Sequence, residues 1–396
     1  MSQPSSQPFT QPNTHPTSQL LNEPPIDNTP YLAESTTQRT SMGRFNLAII
    51  GGTGVGKSSL VNAVFGQDRA RTGLGLPVTR GIQYYTNSTL GIWDFEGFEI
   101  GTSLTPADHL RAGLAEIRTT PANQQISVVW YCVLAQSARL TPADISMIRE
   151  LADQGLPVVL VLTKVRWNRN VITGARKPDD DATQFLTWLD APCDENGNPI
   201  SVPVRRVIPT SAAGPQGKHG LSELVAETLT LAPEGAKDAF RVAQRLSLPL
   251  KRAMARPVMA AATAAAAAAA VTPIPVIADS VALAPIQLGM MGRIAAIYEL
   301  EIKSMLSTQA LAQIAAQITG KALARSFIKL IPGAGSVINA SVASALTAST
   351  GEAWIRLCEQ VYMGKVDLST MNSLWKDYAP TVMQVGKKLL EQRAAK

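Results

Sequence analysis

The stretch AIIGGTGVGKSSLVNAVFG, from Ala48 to Gly66, contains the residue types that bind phosphate. It matches the pattern G-x-x-x-x-G-K-[ST] and lies between the apolar run FNLAII and the helical pattern SLVNAVFG, which is the context this motif requires. Glycines let backbone amides approach phosphate oxygens, while a lysine and a hydroxyl reach the terminal phosphates and magnesium. The predicted nucleotide-binding residues here are Gly51, Gly52, Thr53, Gly54, Val55, Gly56, Lys57, Ser58 and Ser59.

A second motif, IWDFEG, supplies the carboxylate that a magnesium ion beside the phosphates needs. Asp94 and Gly97 form D-x-x-G at the end of an apolar run, where the glycine amide can sense a terminal phosphate. A threonine between the two motifs is expected to close over the metal. Thr79 in GLPVTRG is the best placed, with Thr72 and Thr86 as rivals. The predicted magnesium ligands are Ser58, Thr79 and Asp94.

Apolar runs and helical patterns alternate between Gly43 and Pro233, and these elements must position the motifs. The runs FNLAII, GIQYYT, TLGIWD, ISVVWYCVL, LPVVLVLT and VRRVIPT are typical of strands in a covered sheet. The sequence TPAD, at Thr105 and again at Thr141, predicts helix starts with a threonine cap and proline in the first turn. The alternation predicts an α/β domain with a mostly parallel sheet and helices on both faces.

Length and composition predict several domains, because 396 residues exceed what one hydrophobic core usually spans. The Pro-, Gln- and Ser-rich start has few apolar residues to bury and predicts a disordered arm. After Pro233 the strand signals stop and the pattern is helical. The predicted boundaries are 1–42 for the arm, 43–233 for the α/β domain, 234–256 for a basic helical connector, 257–368 for an all-α domain with Ala/Gly-rich hairpins, and 369–396 for a helical tail.

Charge and cysteine content restrict the possible partners only weakly. The net charge of +6 permits an anionic lipid or nucleic acid without choosing between them. Cys132, Cys193 and Cys358 lie far apart in sequence, which gives no sign of a disulfide framework or a zinc site. Because the start lacks the apolar run of a secretory signal, we expect a cytoplasmic protein, with the inner face of the membrane as a further location.

These motifs follow the order and spacing of the five G motifs of the TrmE, Era, EngA, YihA and septin-like class of P-loop GTPases, which the chain resembles. The resemblance implies binding of Mg²⁺ and GTP and slow hydrolysis as a molecular switch, with a partner or self-association as activator. Phe98 stands where Ras-like relatives have a water-orienting glutamine, and Gly54 stands where potassium-activated members have asparagine. The implied catalytic residues are Lys57, Thr79 and Gly97, and the implied base-binding residues are Thr163, Lys164, Ser211 and Ala212.

The base-reading motif departs from the family pattern in LTKVRW, where Arg166 replaces the aspartate that accepts hydrogen bonds from guanine. Arginine has only donors, so it would face the guanine donors without an acceptor. Three explanations stay open: Asn168 supplies a substitute acceptor, base selectivity is relaxed, or Arg166 favours xanthine. Of these we expect a GTP site of reduced selectivity.

The stretch from about Arg256 to Leu368 resembles the helical domain of unknown function found in YcjF-like bacterial proteins. Relatives are often associated with membranes. Pro257 to Ala278 carries no charge, but its alanines make a simple spanning helix unfavourable. A proline-broken hairpin in one leaflet, flanked by Lys251, Arg252 and Arg256, and a buried hairpin in water both remain open, so residues 257–351 are a possible membrane contact.

Three functions are compatible with these features. The first is a GTPase switch whose helical domain contacts a membrane or a second copy of the chain. The second is a non-hydrolysing interaction protein that keeps a nucleotide as a structural ligand. The third is an Era-like RNA or ribosome factor that uses Arg166, Arg169, Arg176 and Lys177. The chain has no recognisable RNA-binding module, so nucleic acid is the less expected partner.

Overall fold

The computed structural model describes residues 27, 29–66, 76–79, 81–95, 105–213, 217–270, 283–300 and 336–366. Predictions for Thr72, Gly97, Phe98 and the tail at 369–396 lie outside this part of the chain, as do most of the arm and much of the all-α domain. Within it the strands are β1 (Phe45–Ile50), β2 (Leu76–Thr79), β3 (Ile82–Thr86), β4 (Leu90–Phe95), β5 (Val128–Leu134), β6 (Val158–Thr163), β7 (Trp167–Arg169), β8 (Arg176–Pro178) and β9 (Arg206–Pro209).

One helix precedes the first strand, further helices alternate with the strands, and only helices follow the last strand. They are α1 (Thr29–Ser41), α2 (Lys57–Phe65), α3 (Pro106–Arg118), α4 (Pro142–Asp153), α5 (Asp180–Asp190), α6 (Leu221–Leu231), α7 (Glu234–Ala243), α8 (Leu248–Ala269), α9 (Ala284–Ile297) and α10 (Ser336–Tyr362). Of the predicted threonine caps, Thr141 Oγ1 accepts from the Asp144 amide at 3.1 Å, and Thr105 Oγ1 accepts from the Asp108 amide at 3.2 Å.

Seven strands form one sheet in the order β2-β3-β4-β1-β5-β6-β9. The five strands from β4 to β9 in this order are parallel, while β3 pairs antiparallel with β4 and β2 antiparallel with β3. Every residue of β1 and β6 is buried, because the sheet has an apolar core on each face. The predicted α/β fold with helices on both faces is confirmed. Strand β2 and the separate β7–β8 hairpin are additions that the apolar pattern did not indicate.

The arm was predicted to be disordered through residue 42, and this is wrong for its last part. Thr29–Ser41 forms α1, which packs against α9. Tyr31 is 2% exposed, and a Cβ at Gly292 would lie 2.2 Å from the Tyr31 carbonyl oxygen, so only glycine permits this approach. Glu34 also accepts from Arg293 Nε at 2.6 Å. Tyr31 and its neighbour Leu32 pack into an apolar core because α9 covers α1. The composition of the arm alone does not indicate this partner helix.

The predicted connector at 234–256 is not a separate element. Phe240 on α7 is fully buried and contacts the rings of Phe45 and Phe65, with centroids 4.7 and 6.1 Å apart, so α7 belongs to the core of the α/β domain. Helix α8 then continues through Pro257, where a boundary was predicted. The alanines that follow have the highest helix propensity, which offsets the hydrogen bond lost at proline.

Helices α1, α8, α9 and α10 enclose an apolar core of their own, in addition to the two that cover the faces of the sheet. Lys251 on α8 is fully buried there, where its ammonium donates to the carbonyls of Val242 and Ile297 and lies over the Tyr362 ring. Arg252 donates from Nε to Glu359 at 2.9 Å. Lys251 therefore does not belong to the exposed basic flank predicted for a leaflet-inserted hairpin, whereas Arg252 is 40% exposed and Arg256 is exposed. Among the described helices none is long and apolar enough to cross a bilayer.

Candidate nucleotide-binding site

The phosphate loop connects β1 to α2 at the carboxyl edge of the parallel strands. Gly51, Gly54 and Gly56 have φ values of 147°, 76° and 108°, a backbone region that favours glycine. A Cβ at Gly51 would lie 2.3 Å from the carbonyl oxygen of Cys132, so β5 also requires glycine here. The sequence therefore folds this loop because its glycines allow both the turn and the contact with the neighbouring strand.

Lys57 opens α2 and folds back over the loop. Its Nζ donates to the carbonyl oxygens of Gly51 at 2.7 Å and Gly52 at 3.4 Å, and the residue is 7% exposed. Thr53, Gly54 and Ser58 are exposed on the opposite side of the turn. A buried ammonium group aimed into an open loop of amides can bind terminal phosphates.

The segment after β6 contacts the phosphate loop directly. Thr163 Oγ1 donates to the carbonyl oxygens of Val55 at 2.6 Å and Val133 at 3.2 Å. Lys164, with φ 54°, donates from Nζ to the Gly54 carbonyl at 2.6 Å. The structure thus brings together the predicted phosphate residues and the predicted base residues Thr163 and Lys164, which lie far apart in sequence.

The segment after β9 completes this side of the site. The Thr210 amide donates to the Leu162 carbonyl at 2.7 Å, and the Val165 amide donates to the Thr210 carbonyl at 3.0 Å. Ser211 is buried and Ala212 is half-buried directly after this junction. A cavity of about 160 Å³ lies between the segments, lined by Gly56, Ser59, Leu60, Thr163, Lys164, Thr210, Ala212 and Ala213.

Asp94 lies near the end of β4, and the strand register pairs it with Ile49 of β1 just before the phosphate loop. Burial raises the pKa of Cys132 to about 12, while Lys57 lowers that pKa and Asp94 raises it, so both charges lie near this thiol. The Asp94 carboxylate and the exposed Ser58 hydroxyl are hard oxygen donors of the kind that Mg²⁺ prefers. Within the described ranges no group of three or more His, Cys, Asp or Glu could hold a metal ion.

The third predicted magnesium ligand, Thr79, is placed only by its backbone. It ends the edge strand β2 opposite Ile82, which pairs with Phe95, which in turn pairs with Ile50. Three strand spacings of about 4.8 Å separate Thr79 from β1. Its assignment as a metal ligand and catalytic residue stays a prediction, as does that of Gly97.

The rival threonine that the structure describes does not fit the metal. Thr86 pairs with Gly91, which pairs with Asn46 near the start of β1. It therefore lies at the opposite end of the sheet from the phosphate loop.

Arg166 is exposed, and a hairpin separates it from the next helix. Strands β7 and β8 pair antiparallel, and the Asp179 amide donates a hydrogen bond of 2.9 Å to the Arg166 carbonyl oxygen. Asn168, considered above as a substitute acceptor, lies exposed in β7 opposite Lys177.

The hairpin also contacts His219, which belongs to none of the sequence motifs. The Trp167 ring lies 5.0 Å from the ring of His219, whose Nε2 is 2.7 Å from Arg176 Nη1. The backbone of His219 exchanges two hydrogen bonds of 3.0 Å with Ser211. The hairpin therefore contacts both segments that carry predicted base-binding residues.

Comparison with known proteins agrees with this domain. Residues 46–164 match the family model described as 50S ribosome-binding GTPase. Searching the curated proteins finds no match. Solved structures that align with part of this chain include a probable GTP-binding protein EngB (17% identity, TM-score 0.32, 49% of this chain and 99% of that one). Another is Era from Aquifex aeolicus (19% identity, TM-score 0.31, 56% of this chain and 67% of that one). A third is the FeoB G-domain from Methanococcus jannaschii (17% identity, TM-score 0.25, 49% of this chain and 99% of that one).

Proposed function

We propose that this chain, which contains a P-loop GTPase domain at residues 46–164, binds GTP with Mg²⁺ and hydrolyses it slowly as a molecular switch. The observation that carries the proposal is the phosphate loop between β1 and α2, with the Lys57 ammonium held 2.7 Å from the Gly51 carbonyl. A nucleoside triphosphate supplies the phosphate oxygens that would take the place of this carbonyl and bind the loop amides.

Different residues of the site are proposed to have different roles in phosphoryl transfer. Lys57 and the loop amides bind the terminal phosphates and stabilise the charge that develops on them. Ser58 and Asp94 would hold a magnesium ion, which would neutralise phosphate charge. Thr79 and Gly97 are proposed to close over the terminal phosphate. Because Phe98 offers no hydrogen bond to an attacking water, turnover without an activator should be slow.

The base that the site prefers is a separate question, because Arg166 is exposed and its side chain has no hydrogen-bond acceptor for guanine. A second candidate function is therefore a triphosphate-binding protein of relaxed base selectivity, with or without hydrolysis. Xanthine has a 2-oxo group that accepts where guanine donates, so XTP distinguishes the two.

The experiment is equilibrium binding of GTP, XTP and ATP with magnesium, followed by multiple-turnover hydrolysis. Lys57→Ala should remove binding of every triphosphate, whereas Lys365→Ala, at an exposed lysine just after α10, should bind like the wild type. Equal binding by Lys57→Ala would refute the site. Stronger GTP binding by Arg166→Asp would show that Arg166 sets base selectivity, and an unchanged preference for GTP would show that another group reads guanine.

We propose that α7 transmits the change between nucleotide-bound states from the GTPase domain to the helices that follow it. Helix α7 shares the core of the GTPase domain and leads directly into α8. The partner of these helices is proposed to be a membrane surface or a second copy, contacted through residues 257–351, with RNA as the less favoured alternative. Sedimentation velocity with GDP and with a non-hydrolysable GTP analogue tests self-association. An identical sedimentation coefficient in both would oppose nucleotide-controlled assembly.

A further inference from the structure

Two large aliphatic side chains at the tip of the β7–β8 hairpin are almost completely exposed. Val171 is 98% and Ile172 is 95% exposed, and the one further exposed large hydrophobic residue in the described ranges, Met363, is 39% exposed. Scattered surface hydrophobics are ordinary, but two adjacent ones at a projecting tip suggest a contact with another surface.

The tip is held in place by its own hydrogen bonds, so the exposure belongs to a formed loop. Asn170 Oδ1 accepts from the amides of Ile172 at 2.9 Å and Thr173 at 3.0 Å. The Asn170 amide donates to the Ala175 carbonyl at 2.8 Å, and Gly174 takes the left-handed conformation at φ 69°. These contacts satisfy backbone groups inside the loop and direct Val171 and Ile172 away from the domain.

The strands below the tip are basic. Arg169, Arg176 and Lys177 are exposed, and the hairpin sequence WNRNVITGARKP contains no acidic residue. A partner must therefore combine negative charge with a region that accepts aliphatic side chains. A typical stable protein interface buries about 800 Å² on each partner, which is more than two side chains at a hairpin tip provide.

We propose that this hairpin docks on an anionic phospholipid surface, with Val171 and Ile172 inserted below the headgroups and Arg169, Arg176 and Lys177 at the lipid phosphates. Shallow insertion of aliphatic side chains and attraction of basic residues to anionic lipid add to each other. This contact lies in the GTPase domain and is distinct from the one proposed for residues 257–351.

The hairpin position would bring the lipid contact close to the nucleotide. Trp167 and Arg176, in the two strands of the hairpin, both contact His219, and His219 is bonded to Ser211. Binding of the hairpin to a surface would therefore also restrain His219 and Ser211, next to the predicted base site.

The test is co-sedimentation of the full chain with phosphatidylcholine vesicles and with vesicles of equal parts phosphatidylcholine and phosphatidylglycerol. We expect binding to the anionic vesicles only. The double variant Val171→Ser/Ile172→Ser should bind them about tenfold or more weakly, because burial of each aliphatic side chain contributes substantially. Arg169→Gln/Lys177→Gln should also bind more weakly, and Met363→Ser, the control directly after the end of α10, should bind like the wild type. Equal melting temperatures would show that the variants fold.

Three outcomes overturn the proposal. The first is wild-type protein that does not bind anionic vesicles, and the second is a tip variant that binds them as well as the wild type, which would place any lipid contact elsewhere. The third is a wild type that self-associates or binds RNA through the tip but not vesicles, since the occupant would then be a second copy or a nucleic acid. GTP binding need not change in any variant, so this result is separable from the proposed nucleotide function.

Discussion

Thr163 Oγ1 donates a hydrogen bond of 2.6 Å to the carbonyl oxygen of Val55, which joins the end of β6 to the phosphate loop. Thr163 is 3% exposed, so water cannot easily replace this donor. The contact holds the loop in one conformation before a ligand arrives, and a loop that is already ordered binds phosphate at a lower entropic cost.

Thr163→Val keeps the shape of this side chain and removes the donor. We expect GTP affinity to fall by about tenfold, equivalent to roughly 1.4 kcal/mol, which is of the order of one lost hydrogen bond. The matched control is Thr187→Val on α5, where the exposed hydroxyl bonds only to its own helix. Isothermal titration calorimetry measures both, and equal affinities would show that the Thr163 contact does not organise the loop.

Phe240→Ala should destabilise the α/β domain although α7 lies beyond the predicted domain boundary. The ring is fully buried against Phe45 and Phe65, and removal of such a side chain costs about 3–5 kcal/mol. Urea unfolding followed by tryptophan fluorescence measures the change. Val171→Ala, at a position 98% exposed, is the control and should change stability by less than about 0.5 kcal/mol. A small effect of Phe240→Ala would mean that α7 is not part of this core.

Acid should weaken the contact between α3 and α4. Arg111 donates to Glu150 and lowers the pKa of this carboxyl group. A carboxyl with a lowered folded pKa stabilises the protein above its unfolded pKa of about 4.3, and this contribution is lost as the pH falls through the folded pKa. Because Arg111 is 56% exposed, solvent screening keeps this effect small.

Glu150→Gln should therefore be less stable than the wild type at pH 7, and the two proteins should converge as the pH falls below about 4. Chemical denaturation at several pH values measures the difference. In an Arg111→Met background the same substitution should have little effect at any pH, which separates the pair from other roles of Glu150. A constant difference across the pH range would contradict the assignment.

The cysteine below the phosphate loop should resist alkylation. Cys132 is buried against Gly51 and its pKa is raised to about 12, and burial also raises the pKa of Cys358. Thiolates are the reactive form, so iodoacetamide at neutral pH should modify the half-buried Cys193 first. Peptide mass mapping identifies the sites, and denatured protein, in which all three react, is the control. Modification of native Cys132 would show that the loop opens.

Several features of this protein follow from local sequence, because short-range chemistry produces them. The glycines and lysine of GGTGVGKSS indicate a phosphate loop after a strand from local sequence, and the apolar runs indicated six of the seven strands of the large sheet. Thr105 and Thr141 cap their helices through residues three positions away.

Tertiary structure decided the features that depend on contacts between distant residues. Helix α1 forms where composition predicted disorder, because α9 covers Tyr31, and α7 joins the α/β domain because Phe240 contacts Phe45 and Phe65. Lys251 reads as a basic flank in sequence, yet two helix-end carbonyls and a tyrosine ring surround it in the fold. A residue type determines what a side chain can do, but only the packing of distant segments determines which partners it meets.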